Sequence, residues 1–187
     1  MLPDMRWVNE PPEWAVDGGV LTATTGDRTD FWRETYYGFV RDDGHFCAAE
    51  VEGDFTAQVT FSGDYEELYD QLGLMVRVDE RNWVKTGVEY TDGVPHLSAV
   101  VTRDVSDWSV VVPADPGPEF TLRLTRRRDS VQVQYLEGGE WRMLRLGYLA
   151  PAERCLVGVM CCSPQRAGFR ARFRDLTVTG SVPEGIH

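Results

Sequence analysis

The chain has 187 residues, of which 42% are hydrophobic and 11% aromatic, and its formal net charge is -11 at pH 7. This apolar content supports a packed core and excludes a disordered chain. The acidic balance argues against nucleic-acid binding, which needs concentrated positive charge, and no apolar run is long enough to span a membrane.

The predicted elements are almost all strands, separated by Asp-Gly, Gly-Gly, Gly-Asp and Pro-Gly turns. One helical turn could form over residues 64–69. So many short strands predict an all-β protein, a two-sheet antiparallel β-sandwich of the jelly-roll kind, as a single domain over residues 1–187 with its core at about 14–179. In chain order the strands are expected at 14–16, 20–23, 45–51, 55–62, 71–78, 83–90, 96–103, 108–112, 120–127, 131–135, 141–146, 156–161 and 169–179.

The hairpin after residue 90 can be registered from its turn. Asp92-Gly93 is a typical two-residue type I′ turn, which places Thr91 opposite Val94. The resulting pairs keep one face mostly apolar, as a core face requires. They are Val88 with Leu97, Thr86 with Ala99 and Val84 with Val101 on that face, and Glu89 with His96, Gly87 with Ser98 and Lys85 with Val100 on the other.

The turn at residues 79–82 fits a three-residue loop, because this choice keeps the core face apolar. It places Arg77 opposite Lys85 and Gly73 opposite Glu89. Two facing cations repel, so a carboxylate or a ligand should offset them.

Lys85 is the only lysine of the chain. Strand alternation sets it on one face with Trp83, Gly87 and Glu89. The small residues Gly73, Gly87 and Ser98 would form a shallow trough on this face. An ammonium and a carboxylate beside an indole and such a trough are typical of a binding face, although a solvated outer face is the alternative. Lys85 and Glu89 lie about 13 Å apart along the strand, so we do not expect an intimate acid–base couple.

Two further clusters combine aromatic and polar residues, at 29–38 and 106–109. Indole faces beside carboxylates and hydroxyls suit sugar rings, whereas Phe31 and Tyr37 are expected in the core. Asp70 and Gln71 could line one end of the trough. The ligand-binding candidates from these segments and the trough are Asp30, Trp32, Arg33, Asp70, Gln71, Arg77, Trp83, Lys85, Glu89, His96, Ser98, Asp107 and Trp108.

The four cysteines show no zinc-ligand spacing and are expected to be buried free thiols. The residues from Met1 show no basic segment followed by an apolar run, so we expect a reduced, cytoplasmic protein. No cofactor or catalytic-metal fingerprint is present. Asp42, Asp43 and Asp64 lie in predicted turns, where a structural calcium ion is the one metal considered.

Several segments together resemble the family of uncharacterised domains known as DUF1349, also labelled regulation of enolase protein 1-like. The resemblance implies a concanavalin A-like lectin/glucanase fold with one concave face, and it implies no established reaction. It adds Arg145 to the ligand-binding candidates. The segments are 29–33, 69–75, 83–90, 106–109, 145–148 and 162–164.

The expected function is therefore binding of a carbohydrate or similar small polar ligand on the concave face. A glycoside hydrolase is one alternative, with Glu89 and Asp70 as catalytic candidates, although related laminarinase-type enzymes carry a Glu-x-Asp-x-x-Glu strand that this chain lacks. Glu89 opposite His96 could be a proton-transfer pair or an ordinary cross-strand ion pair. A protein-interaction domain regulating a metabolic enzyme is the other alternative, because the net charge suits a basic partner.

Overall fold

The computed structural model describes residues 4–114, 116–183 and 185. The expectation of a cytoplasmic protein rests partly on the first three residues, which lie outside these ranges. Over the described residues the chain forms strands and no helix. The strands are β1 (Arg6–Val8), β2 (Glu13–Asp17), β3 (Val20–Thr24), β4 (Phe31–Arg33), β5 (Val40–Asp42), β6 (His45–Glu52), β7 (Phe55–Gly63), β8 (Gln71–Arg77), β9 (Asn82–Thr91), β10 (Val94–Arg103), β11 (Val105–Val111), β12 (Phe120–Arg127), β13 (Ser130–Glu137), β14 (Glu140–Tyr148), β15 (Arg154–Cys162) and β16 (Arg170–Thr179).

Two seven-stranded antiparallel sheets make up the body of the protein. The first sheet has the order β1-β6-β15-β8-β9-β10-β11, and the second has the order β14-β13-β12-β7-β16-β3-β2. The predicted two-sheet antiparallel β-sandwich is confirmed. The strands β4 and β5 form a separate two-stranded sheet.

The main core lies between the two large sheets. Alternate residues of β8 and β12, such as Leu72, Leu74, Leu122 and Leu124, point into it and are fully buried. Burying such side chains supplies most of the folding free energy, at roughly 1.5–3 kcal/mol each.

A second apolar cluster lies on the opposite face of the first sheet. Residues 29–44, which include β4 and β5 and are called the covering segment below, pack Phe31 and Trp32 against this face. The same face carries Lys85 and Glu89, so much of the predicted binding face is a second core. The sheet residues in the cluster are Phe46, Ala48, Met75, Trp83, Val100, Met160 and Cys162.

Every predicted strand is present, with ends that differ by three residues or fewer, whereas β1, β4 and β5 were not predicted. Each of these three has only three residues, too few to show an alternating pattern. The expected helical turn at 64–69 is not helical. Its backbone is instead held by the Asp70 carboxylate, which accepts hydrogen bonds from the N–H groups of Glu66 and Glu67.

The β9–β10 register is the predicted one. The β8–β9 register is shifted by two residues from the prediction, so Met75 faces Lys85 and Arg77 faces Trp83. The turn closes one residue earlier than expected, because the N–H of Val78 donates a hydrogen bond to the carbonyl of Asn82 at 2.9 Å. The predicted three-residue loop instead paired Asp79 with Trp83. A shift of two residues keeps every side chain on its face, and for that reason the apolar pattern could not detect it.

The corrected register has two consequences. Arg77 is not opposite Lys85, and its guanidinium pairs in a bidentate manner with Asp42 at 2.6 and 2.8 Å. Gly73 faces Gly87 rather than Glu89. The two backbones approach so closely that a Cβ atom on Gly87 would lie 1.8 Å from the carbonyl oxygen of Leu72.

All four cysteines are free and buried, as predicted. Over the described part of the chain, no helix has the length and apolar character needed to cross a membrane.

Candidate functional site

Lys85 lies at the centre of a buried polar cluster and is only 2% exposed. Its Nζ donates hydrogen bonds to Gln71 Oε1 at 2.6 Å and to Asp30 Oδ1 at 3.1 Å. Glu89 Oε1 is 3.9 Å from the same nitrogen. Lys85 and Glu89 thus form an ion pair without a hydrogen bond, because two long side chains on one strand face reach towards each other.

The charged groups of this cluster shift one another's pKa values. Burial opposes the ammonium of Lys85, but the carboxylates of Asp30 and Glu89 outweigh burial and raise the pKa of Lys85. Burial also raises the pKa of Glu89, against the opposing effects of Lys85 and of hydrogen bonds from the Trp108 and Ser98 side chains. Lys85 is thus charged at neutral pH and paired with Asp30, while Glu89 is easier to protonate than an exposed glutamate.

A pocket of about 300 Å³ opens above this cluster. Its floor is polar and its walls are largely aromatic. The covering segment supplies one wall, and the residues leading into β8 and along β11 supply another. The lining residues are Arg28, Asp30, Trp32, Tyr37, Phe39, Arg41, Tyr69, Gln71, Lys85, Glu89, Trp108, Pro164 and Gln165.

The aromatic walls are joined across the pocket. The hydroxyls of Tyr37 and Tyr69 are 2.9 Å apart and share a hydrogen bond, which raises the pKa of Tyr69 to about 12. The Tyr37 ring packs edge-on to Trp32 at 5.8 Å, and the Tyr69 ring does the same to Trp108 at 6.2 Å. These contacts hold the two walls at a fixed separation.

Six of the predicted ligand-binding residues line the pocket: Asp30, Trp32, Gln71, Lys85, Glu89 and Trp108. Ser98, on the neighbouring strand β10, supports Glu89 from outside the lining set. His96 faces Glu89 across the β9–β10 ladder, but its Nδ1 bonds the carbonyl of Val94 at 3.1 Å.

Other predicted residues have partners elsewhere in the structure. Arg33 donates its Nε–H to the carbonyl of Asp104 at 2.8 Å, and Trp83 is buried edge-on against Phe31. The corrected position of Arg77, paired with Asp42, also lies outside the pocket lining. Arg145 pairs with Asp107 at 3.0 Å, next to the pocket.

Asp70, the second catalytic candidate, is fully buried and does not line the pocket. Its carboxylate pairs with Arg166 at 2.7 Å and accepts a hydrogen bond from Ser163. This carboxylate fixes the turn before β8 and brings Gln71 into position, which is a structural role.

Several pocket residues were missed by sequence reasoning. Tyr37 was expected in the core, yet it is exposed and forms part of a wall. Tyr69 and Phe39 were not singled out either, since they follow no strand alternation. The other missed residues are Arg28, Arg41, Pro164 and Gln165.

Among the described residues, five that are not glycine, asparagine or aspartate have a left-handed backbone. One, Arg128, lies in the turn between β12 and β13, and the other four lie within or next to segments that line the pocket. Arg28, Glu34, Tyr36 and Tyr69 have φ angles of 53°, 62°, 65° and 67°. Residues other than glycine, asparagine and aspartate seldom adopt this left-handed conformation, and such strain clusters at functional sites.

The carboxylates considered as calcium ligands are engaged by arginines. Asp42 pairs with Arg77, Asp43 with Arg41, and Asp64 with Arg172. Within the described ranges, no group of three or more histidine, cysteine, aspartate or glutamate residues is arranged to hold a metal ion.

The two antiparallel sheets and the pocket over one outer face define a β-sandwich of the concanavalin A-like class. Residues 7–181 match the family described as protein of unknown function (DUF1349), and the chain belongs to this family. It is 40% identical to Regulation of enolase protein 1 of Saccharomyces cerevisiae, over all of this chain and 94% of that protein.

Solved structures share this architecture. A functionally unknown protein from Saccharomyces cerevisiae superposes with a TM-score of 0.92 at 40% identity, over 96% of this chain and 97% of the other. The carbohydrate-binding module CBM66 from Bacillus subtilis superposes with a TM-score of 0.56 at 14% identity, over 94% and 96%. The second likeness concerns the fold alone.

Proposed function

We propose that the protein binds a neutral, hydroxyl-rich small molecule, a sugar, in the pocket above Lys85. The observation that carries this proposal is the combination of a buried polar floor with aromatic walls. Pockets with a few fixed polar groups and apolar walls are typical sites for small molecules.

The floor offers both kinds of hydrogen-bonding partner that a hydroxyl group needs. Lys85 is a donor, and the carboxylates of Asp30 and Glu89 are acceptors. The amide oxygen of Gln71 is a further acceptor, since both Gln71 N–H bonds already have partners. The hydrogen bonds of Lys85 to Gln71 and Asp30 fix these groups before a ligand arrives, so little ordering is required on binding. The apolar C–H faces of a sugar ring would then stack on Trp108, which is 38% exposed, and contact the small exposed part of Trp32.

A neutral ligand fits the charge balance of the pocket. Lys85 is balanced by Asp30, Arg41 pairs with Asp43 at 2.9 Å, and Arg28 lies 3.8 Å from Asp27. An anionic ligand would also have to compete with Asp30 and Glu89 for the ammonium of Lys85, which lies 3.1 and 3.9 Å from their carboxylates.

The same geometry argues against glycoside hydrolysis as the function. Asp30 and Glu89 lie at 3.1 and 3.9 Å from one ammonium, so both carboxylates are engaged by the same cation. Hydrolysis requires the space between two carboxyl groups to hold the sugar carbon and, in inverting enzymes, a water.

Binding can be tested by isothermal titration against neutral monosaccharides and oligosaccharides, with glucuronic acid as a charged comparison. Trp108→Ala should weaken binding of a sugar by about tenfold, because it removes one stacking wall. Trp14→Ala is a matched control, since Trp14 is a comparably exposed tryptophan on β2 and lies outside the pocket. Failure of every sugar to bind would refute the proposal.

Interaction with another protein is a second candidate. It is favoured by the exposed side chains Tyr36, Tyr37, Phe39 and Val40, which lie together at the tip of the covering segment. The name of the relative from Saccharomyces cerevisiae points to enolase as the first partner to try. Sedimentation velocity of the full chain mixed with purified enolase would test this, and separate sedimentation of the two proteins would exclude it.

A further inference from the structure

A second hollow of about 570 Å³ adjoins the pocket and is called the aromatic groove below. It shares Trp32, Tyr37 and Trp108 with the pocket, and it is completed by Thr35, Tyr36, Ser106 and Asp107. Three shared residues make the two hollows direct neighbours. The pocket ends at the buried polar floor of Lys85 and Gln71, whereas the groove is lined by exposed residues such as Tyr36 and Asp107.

The groove differs from the pocket in chemistry. Its lining includes no buried charged group, and Asp107 is an exposed carboxylate that could accept hydrogen bonds from hydroxyl groups. Trp32 is fixed in place, since its Nε1–H donates to the carbonyl of Thr35 at 3.0 Å. A rigid indole beside an exposed acceptor is suited to one more ring of a polar ligand.

Tyr36 is the most unusual residue of the groove. It is 93% exposed, although its backbone is in the left-handed conformation that disfavours tyrosine. Its ring is held edge-on to Tyr37, with 5.0 Å between ring centroids. A strained, exposed aromatic ring adds little to folding, which points to a role in contact with a ligand.

We infer that the aromatic groove is a second sugar subsite, so that the ligand is a chain of at least two linked rings. This inference rests on the proposed sugar binding in the pocket. The terminal ring enters the pocket, because Lys85, Gln71 and Asp30 close its floor, and the next ring lies against Trp108 and Tyr36. The protein therefore recognises the end of a saccharide chain.

The test is titration with paired probes: D-glucose with cellotriose, D-xylose with xylotriose, and D-mannose with mannotriose. At least one trisaccharide should bind about tenfold tighter than its monosaccharide, as one extra stacked ring would give. Tyr36→Ala should remove most of this gain and leave the monosaccharide affinity unchanged, since Tyr36 does not line the pocket. Tyr148→Ala, on the second sheet, is the matched control because Tyr148 is exposed and outside both hollows.

Two results would overturn the inference while leaving the proposed function intact. The first is equal affinity for monosaccharides and trisaccharides, and the second is an unchanged trisaccharide affinity in Tyr36→Ala. If no sugar of either length binds, the proposed function fails and the second subsite fails with it. Melting curves of both variants, recorded without sugar, separate lost contacts from lost folding.

Discussion

The ammonium of Lys85 lies 2.6 Å from the amide oxygen of Gln71, closer than its 3.1 Å to the carboxylate of Asp30. The Gln71 amide in turn donates to the carbonyl of Tyr69 at 3.2 Å and to Asp30 at 3.4 Å. The single lysine of the chain thus holds together strands β8 and β9, the covering segment and the turn that carries Tyr69.

Replacing Lys85 by methionine should destabilise the protein by about 3 kcal/mol. The change removes the cation, so the Asp30 and Glu89 carboxylates stay partly or fully buried without a positive partner. Removing one partner of a buried ion pair is strongly unfavourable, because the other charge is left uncompensated. Urea unfolding of the variant and the parent protein measures the difference. Arg154→Met is the control, because its pairs with Glu50 and Glu52 are exposed and worth about 1 kcal/mol or less.

The double variant Lys85→Met with Asp30→Asn should recover part of that loss, since one of the two carboxylates left without the cation is then gone. A double variant no more stable than Lys85→Met would show that lost packing, and not the unpaired charge, explains the destabilisation.

Glu89 should make the protein less stable as the pH rises. Its pKa is raised in the folded state, so the folded protein binds more protons at this site than the unfolded chain does. Stability is therefore lost between the ordinary glutamate pKa of 4.5 and the higher folded value. Glu89→Gln, which resembles the protonated form, should flatten this part of the curve of melting temperature against pH. An unchanged curve would contradict the assignment.

His45 should have the opposite effect, with stability falling as the pH falls. It is buried and neutral, with Nδ1 bonded to the carbonyl of Asn9 at 2.7 Å and Nε2 accepting the N–H of Gly26 at 2.9 Å. Burial lowers the pKa of His45 below its usual 6.5, so the unfolded chain binds more protons. Stability should fall as the pH drops below 6.5.

The variant His45→Gln isolates this effect. It should be less stable than the parent protein at neutral pH, because the Gly26 contact is weakened, but it should lose less stability between neutral pH and the onset of general acid unfolding. Equal losses in the two proteins would mean that other groups cause the acid sensitivity.

Gly87→Ala should prevent normal folding. The added Cβ would lie 1.8 Å from the carbonyl oxygen of Leu72, and a backbone group cannot move aside as a flexible side chain can. Gly180→Ala is the control, because nothing lies within 4 Å of its added Cβ. Soluble yield and circular dichroism measure the outcome, and a folded Gly87→Ala protein with the parent melting temperature would refute the close approach.

Strand alternation and turn chemistry were sufficient to predict the sandwich and the β9–β10 hairpin. They also placed Lys85 and Glu89 on one strand face, because side chains alternate along any strand. They could not place Gln71 against Lys85, since a β8–β9 pairing shifted by two residues has the same apolar pattern. Only the folded structure shows that the Asp79 carboxylate bonds the N–H of Arg81 and closes the turn early.

The parts of the site that come from outside the regular strands were predicted less well. Tyr37 and Phe39 belong to the covering segment, whose position depends on contacts distant in sequence, such as the bidentate pair of Arg77 with Asp42. Asp70 was singled out as a candidate catalyst, and its burial against Arg166 could not be deduced from local sequence.

The covering segment divides its residues between two tasks. Phe31, within this segment, is fully buried and anchors the segment to the first sheet. Tyr36, Tyr37 and Phe39, near the tip of the segment, are exposed and line the hollows. If the proposed ligand binding holds, substitutions at the tip alter what the protein recognises while the two sheets and the anchor stay as they are. Members of this family that differ in this short stretch should be able to diverge in ligand preference without any change of fold.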